Sequence, residues 1–94
     1  MSSRFFTLYW FEQEEPGPAR LGLSVPRAVG NAVARNKLKR QLREAWRARL
    51  EGVAPGHDYV LIVRRGAAEA ASANGFEWLG ERIDEVLAMT KVAA

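Results

Sequence analysis

The sequence predicts a small α/β domain in which helices pack on a single sheet. Three segments are strand-like, rich in aromatic and β-branched residues. Two longer segments carry apolar residues at helical spacing. The chain has 94 residues, the size of one domain spanning residues 1–94, and a chain of this size buries only about 60–65% of the surface its unfolded form exposes.

Arg4 to Phe11 reads as the first strand. Its alternating sets, Phe5/Thr7/Tyr9/Phe11 and Phe6/Leu8/Trp10, are both largely apolar, so both faces are expected to lie against something. Most of these side chains suit a core strand. One face also suits an aromatic platform for stacked bases, with Tyr9 foremost because its ring stacks while its hydroxyl hydrogen-bonds. Glu12 to Ala19, with Pro16-Gly17-Pro18, is a loop. Arg20 to Val25 is the second strand, with Leu21, Leu23 and Val25 alternating with Gly22 and Ser24. The two strands are expected to form an antiparallel hairpin.

Pro26 to Gly30 turns the chain into a helix with Asn31 as N-cap. The helix is expected to run to about Leu50, with Gly52 as its stop. At ~100° per residue, Ala34, Leu38, Leu42, Ala45 and Arg49 share one side, with Trp46 at its edge. Arg35, Asn36, Lys39, Arg40, Arg43 and Arg47 share the adjoining side. Between residues 27 and 50 lie eight basic residues and one acid, Glu44, whereas the rest of the chain holds six basic and ten acidic residues. Arg35, Lys39, Arg43 and Arg47 stand at successive i+4 steps, and each like pair costs roughly a few tenths of a kcal/mol. Cations in the first turns also oppose the helix dipole. A sequence selected only for helix stability would interleave its charges, so this face points to a polyanionic partner. Nucleic acid leads over an anionic membrane surface, because the helix's apolar side is needed against the sheet.

Val53 to Asp58 is a turn, and His57, the single histidine, reads as a solvated side chain. Tyr59 to Val63 is a continuous apolar run and reads as a buried central strand. Arg64 and Arg65 at its end either extend the cationic surface or are simply solvated. Ala67 to Asn74 is a loop or short helix. Asn74 to about Met89 is a second long helix, Asn74 and Glu77 having capping-box form. Phe76, Leu79, Ile83, Val86 and Leu87 make its apolar stripe, and Glu77, Glu81, Arg82, Asp84 and Glu85 its outer face. The tail from Thr90 to Ala94 is expected to fray.

The sequence excludes several chemistries. It has no cysteine, hence no disulfide and no thiolate metal site, which is compatible with the cytosol. No apolar run approaches the ~20 residues of a membrane span. There is no glycine-rich phosphate loop of Walker type, no Ser/His/Asp arrangement and no acid pair at catalytic spacing. The expectation is therefore no catalytic residue and no metal ligand within the chain itself, and any chemistry is supplied by another component.

Gly30-Asn31-Ala32-Val33, Arg35-Asn36-Lys37-Leu38-Lys39-Arg40 and Leu42-Arg43-Glu44 strongly resemble the signature helix of the bacterial ribonuclease P protein subunit, GNAV-x-RN-[RK]-x-KR-x-x-RE. Leu21-Gly22-Leu23-Ser24-Val25 resembles the strand ahead of it. The resemblance spans roughly Arg4 to Leu87. It implies an α/β sandwich with a mainly four-stranded sheet, a ribosomal-protein-like fold and a left-handed βαβ crossover, a hand that general rules disfavour. It implies an RNA-binding subunit of an RNA-based endoribonuclease. The partners would be the catalytic RNA and precursor tRNA, whose 5′ leader is removed by hydrolysis, with no membrane and no protein partner. The cofactor would be Mg²⁺ held chiefly by RNA and substrate phosphates, and the location cytoplasmic. The residues expected to hold RNA are Arg27, Asn31, Arg35, Asn36, Lys37, Lys39, Arg40, Arg43, Arg47, Arg64 and Arg65. Phe6 and Tyr9 are expected in the leader cleft. Two departures stand out. Lys37 replaces an arginine common in the family, keeping the charge but losing the planar fork. The family's usual basic N-terminal helix, which adds aromatic residues to the cleft, has no counterpart ahead of the first strand. The competing reading is a non-catalytic RNA-binding or chaperone module acting on the ribosome or on structured RNA.

Overall fold

Two strands, a helix, a third strand and two helices follow one another along the chain, much as its periodicities require. The computed structural model describes residues 3–49, 53 and 55–93, with side chains to residue 89. Strand β1 is Phe6–Glu12 and β2 is Arg20–Ser24. A single 3-10 turn at Arg27–Val29 leads to helix α1, Ala32–Arg47. Strand β3 is His57–Val63, followed by helices α2, Ala67–Asn74, and α3, Phe76–Ala93.

The strand order is β1-β3-β2. β1 lies antiparallel to β3, with Phe6 opposite Val63 and Glu12 opposite His57. β2 lies parallel to β3, with Arg20 opposite Asp58 and Ser24 opposite Ile62. The expected β1–β2 hairpin is therefore wrong: β3 separates the two. The reason is burial. Tyr59, Leu61 and Val63 are buried on one face, while Val60 and Ile62 are half-buried on the other, so β3 gains most from a neighbour on each side. The loop from Gln13 to Ala19 is long enough to pass over the start of β3, and it is pinned there. The Gln13 side-chain amide donates to Pro18 O, His57 O and Asp58, and its oxygen accepts from the Gly17 amide.

The sheet has three strands among the described residues, not four. After β3 the chain turns at Gly66, with φ of 91°, and no later segment has the aromatic or β-branched alternation of a strand. β2, α1 and β3 form a parallel crossover.

The helices cover one face of the sheet. Phe6, Leu8, Tyr59, Leu61 and Val63 meet Leu38, Leu42, Ala45 and Trp46 of α1 and Leu79, Ile83 and Val86 of α3 in one cluster. Burying a side chain such as Leu42 contributes about 1.5–3 kcal/mol, and Leu42 has no exposed surface. Trp46 leans on Tyr59 with ring centroids 5.2 Å apart, and burial pushes the Tyr59 phenol above its usual range. α1 ends at Arg47, short of the expected Leu50, and the Gly52 stop lies outside the described residues. Arg49 turns inward as the wheel predicts. It donates to Ala45 O at 2.9 Å and pairs with Asp84 of α3 at 2.6 Å. Its guanidinium lies over Gly80, where any β-carbon would overlap it.

Ala67–Asn74 is helical. Asn74 is not the N-cap of α3 but the last residue of α2, its side chain donating to Ala70 O at 2.8 Å. Gly75, at φ 90°, separates the helices, a conformation glycine adopts without penalty. α3 continues through the expected fraying segment to Ala93. Of its stripe, Leu79, Ile83, Val86 and Leu87 are buried, while Phe76 is exposed.

Candidate nucleic-acid interface

Helix α1 positions the cationic residues. Asn31 caps it, its side-chain oxygen accepting from the Ala34 amide at 2.9 Å. Its first turn holds no acid, so the positive end of the helix dipole is left uncompensated by any local carboxylate. The apolar side docks Leu38, Leu42, Ala45 and Trp46 into the core, which fixes the opposite side outward. There Asn36, Lys39, Arg40, Arg43 and Arg47 line a shallow groove of about 440 Å³ with Glu44.

The pairing of charges separates this face from the rest of the molecule. Arg20 is held bidentately by Asp58 at 2.8 Å, Arg49 by Asp84, and Arg82 by Glu85 at 3.0 Å. Among the described residues, Lys39, Arg40, Arg43 and Arg47 form no ion pair. Four cations thus lie along one helix face with their charge unspent, an arrangement that attracts phosphates at successive turns.

The remaining predicted residues distribute around this face. Arg27 is exposed in the turn before α1. Arg35 is half-buried, and its Nε is buried without a hydrogen-bond partner. Lys37 faces the other flank, where a groove of about 340 Å³ runs between α1 and α2 past Gln41 and Ser72. It therefore does not share the groove of Arg40 and Arg43. Arg64 and Arg65 are exposed at the end of β3. The Arg64 guanidinium donates to Ser3 O at 2.8 Å, which ties it beside the start of β1.

The aromatic candidates divide by strand parity. Tyr9 is 49% exposed on the sheet face away from the helices, whereas Phe6 is 0% exposed in the core. Phe6 is therefore corrected from a cleft residue to a core residue: three positions apart on a strand, it and Tyr9 point to opposite faces. Phe11, which period two does place beside Tyr9, is 57% exposed on the open face. Strand alternation was the available signal for it. At the end of that face Asp58 accepts from Arg20 and Gln13. The Arg20 hydrogen bonds, then that from Gln13, hold its carboxyl below the usual carboxylate range, and Asp58 in turn raises the Arg20 guanidinium. Near the other end the Arg4 guanidinium lies 5.4 Å from the centre of the Phe5 ring, and Phe5 meets Trp78 edge-on.

Comparison with known proteins fits this geometry. The Ribonuclease P family model matches residues 1–87. The chain is 41% identical over 68 residues to the ribonuclease P protein component of Bacillus cereus (strain B4264), an alignment covering 72% of this chain and 59% of that protein. It is equally identical over 68 residues to that of Geobacillus kaustophilus, covering 72% of this chain and 56% of that protein. The chain thus spans less than two thirds of the length of the curated relatives it matches. Among solved structures, the RNase P protein of Thermotoga maritima superposes with a TM-score of 0.84 at 30% identity, covering 93% of this chain and 78% of that one. The Staphylococcus aureus RNase P protein superposes with a TM-score of 0.82 at 30% identity, covering 98% and 80%. By its matched residues and its fold, this chain belongs to the Ribonuclease P protein family.

Proposed function

We propose that the chain is the protein subunit of ribonuclease P, an RNA-based endoribonuclease that hydrolytically removes the 5′ leader of precursor tRNA. The observation that carries this reading is the row of unpaired cations on α1, within the segment that the family match covers. Arg27, Asn31, Arg35, Asn36, Lys37, Lys39, Arg40, Arg43, Arg47, Arg64 and Arg65 bind RNA phosphates and edges, and Tyr9 contacts the leader. The chain contributes by electrostatics. Its cations neutralise phosphates that would otherwise repel each other, raising substrate affinity and lowering the Mg²⁺ requirement. The chain's own residues do not fit Mg²⁺ at this face, where Glu44 is the only acid, and among the described residues no group of three or more His, Asp or Glu stands ready for a metal. The ion is instead held by RNA and substrate phosphates. No described helix is long and apolar enough to cross a membrane, and the absence of cysteine suits a cytoplasmic location.

The deciding experiment is reconstitution. Added to a bacterial ribonuclease P RNA at low Mg²⁺, the chain restores cleavage of precursor tRNA, and an unrelated structured RNA competes poorly for it. Absence of stimulation, or equal competition by unrelated RNA, would leave a general RNA-binding module instead.

A further inference from the structure

We infer that the groove between α1 and α2 is a second RNA contact, one that holds a ribose-phosphate stretch and recognises its 2′-hydroxyls. That this RNA is the catalytic RNA of ribonuclease P rests on the function proposed above. The chemistry of the groove stands on the structure itself. Lys37 and Gln41 line it from α1, and Ser72 lines it from α2. Among the described residues, none of these three side chains has a hydrogen bond or ion pair within the chain. A polar side chain inside a helix commonly bonds back to the carbonyl four residues earlier. Asn74 does so, donating to Ala70 O. Ser72, two positions before it on α2, does not, so its hydroxyl is left for a ligand in the groove.

Sign and surface decide what fits. Lys37 is the one charged residue in the lining, so the groove favours an anion. Its apolar floor offers a protein partner little: Leu38 is 2% exposed and Ala71 6%, and hydrophobic docking scales with the apolar area removed from water. A ribose-phosphate unit matches the polar groups better. The Lys37 ammonium takes the phosphate, while the Gln41 amide and the Ser72 hydroxyl meet 2′-hydroxyls, which both donate and accept. Gln41 lies about 6 Å along the helix axis from Lys37, so the two reach successive parts of one strand and do not converge on a single small anion. Position agrees with this. Lys37 and Arg40 are neighbours at i, i+3, and Arg40 lines the cationic groove on the other flank of α1. An RNA held by Arg40 and Arg43 has only the crest of one helix to cross, and α1 is then gripped from both sides. The first groove reads phosphates, which DNA shares. The second tells RNA from DNA.

Interference by 2′-deoxy nucleotides tests it. A bacterial ribonuclease P RNA is transcribed with scattered 2′-deoxy substitutions, and the molecules bound by the full chain are separated from those left free. The expected result is exclusion of 2′-deoxy nucleotides at a short run of neighbouring positions. Ser72→Ala and Gln41→Ala each weaken binding about fivefold, the loss of one neutral hydrogen bond, and each abolishes exclusion at a position in that run. Neither alters the salt dependence of binding, whereas Lys37→Ala lowers its log–log slope by about 0.7. Ser72→Thr keeps a hydroxyl and restores the exclusion. Alanine is the best helix former, so thermal melts of the two alanine variants should show no loss of stability. The inference is overturned if both variants bind as tightly as the parent, the result that a groove built for a protein partner gives. It is equally overturned if they bind more weakly with the exclusion pattern unchanged. If the chain stimulates cleavage while both variants keep the parent's affinity and pattern, only this inference fails. If Ser72-dependent exclusion is found on another structured RNA and cleavage is not stimulated, the groove stands and the ribonuclease P reading fails.

Discussion

Asp58 accepts hydrogen bonds from Arg20 and Gln13 at the point where β3 enters the sheet, and its carboxyl is held below the usual range. The sign of the linkage follows. A depressed carboxylate contributes stability that is present above the unfolded-state value, near 4, and is lost as pH falls through the lower folded value. Asp58→Asn should therefore reduce stability at neutral pH and flatten the acid limb of the stability profile. Urea midpoints measured from neutral pH down to pH about 3 check this. Asn31 carries a different prediction. Replacing it with alanine removes the bond to the Ala34 amide and costs about 1 kcal/mol. Asn31→Asp keeps the cap but places a negative charge beside the cationic face. Thermal melts should then find Asn31→Asp as stable as the parent, while catalytic-RNA binding falls. Phe6 and Tyr9 show what was legible at this scale. Their opposite facing was present in the strand's period of two, and family likeness drew them into one cleft against it.

At the scale of elements, α1 was legible because its apolar and cationic sides separate cleanly at 3.6 residues per turn, a purely local pattern. Its N-cap was readable for the same reason. Strand order was not, because pairing depends on contacts between β3 and strands far from it in sequence, which no local period encodes. The boundary between α2 and α3 was misplaced by one residue type. Asn74 followed by Glu77 matches a helix start, but Gly75 is the stronger local signal, as a stop in the left-handed region. For α1 the like charges make a prediction with opposing signs. Arg43→Glu removes repulsion from Lys39 and Arg47 and replaces it with attraction, so the folded chain should gain roughly 0.5–1 kcal/mol. Affinity for RNA should fall at the same time. Denaturation and RNA titration of the same variant check both; loss of stability together with affinity would show that the face is built for folding.

Across the whole molecule, charge is segregated: unpaired cations follow α1, while acids occupy the loop after β1 and the outer surface of α3. If about six phosphates are neutralised, the association constant should fall with salt at a log–log slope near −4 to −5, from ~0.7 per contact. Binding of the catalytic RNA across a series of salt concentrations measures it, and a flat response would remove electrostatics as the basis of the complex. The direction in which this field points is set by the docked apolar side of α1 and held by Arg49 and Gly80. Gly80 is a notch in α3, and the Arg49 guanidinium sits in it while gripping Asp84. The pair works as a key in a keyway. Because α1 advances 100° per residue, even a small roll about its axis would withdraw the key. The docked leucines and Trp46 set the angular phase of the cylinder, and the key locks it. One inward-turned arginine thereby helps to aim the outward ones, and the molecule presents its charge as an oriented surface and not as a diffuse cloud.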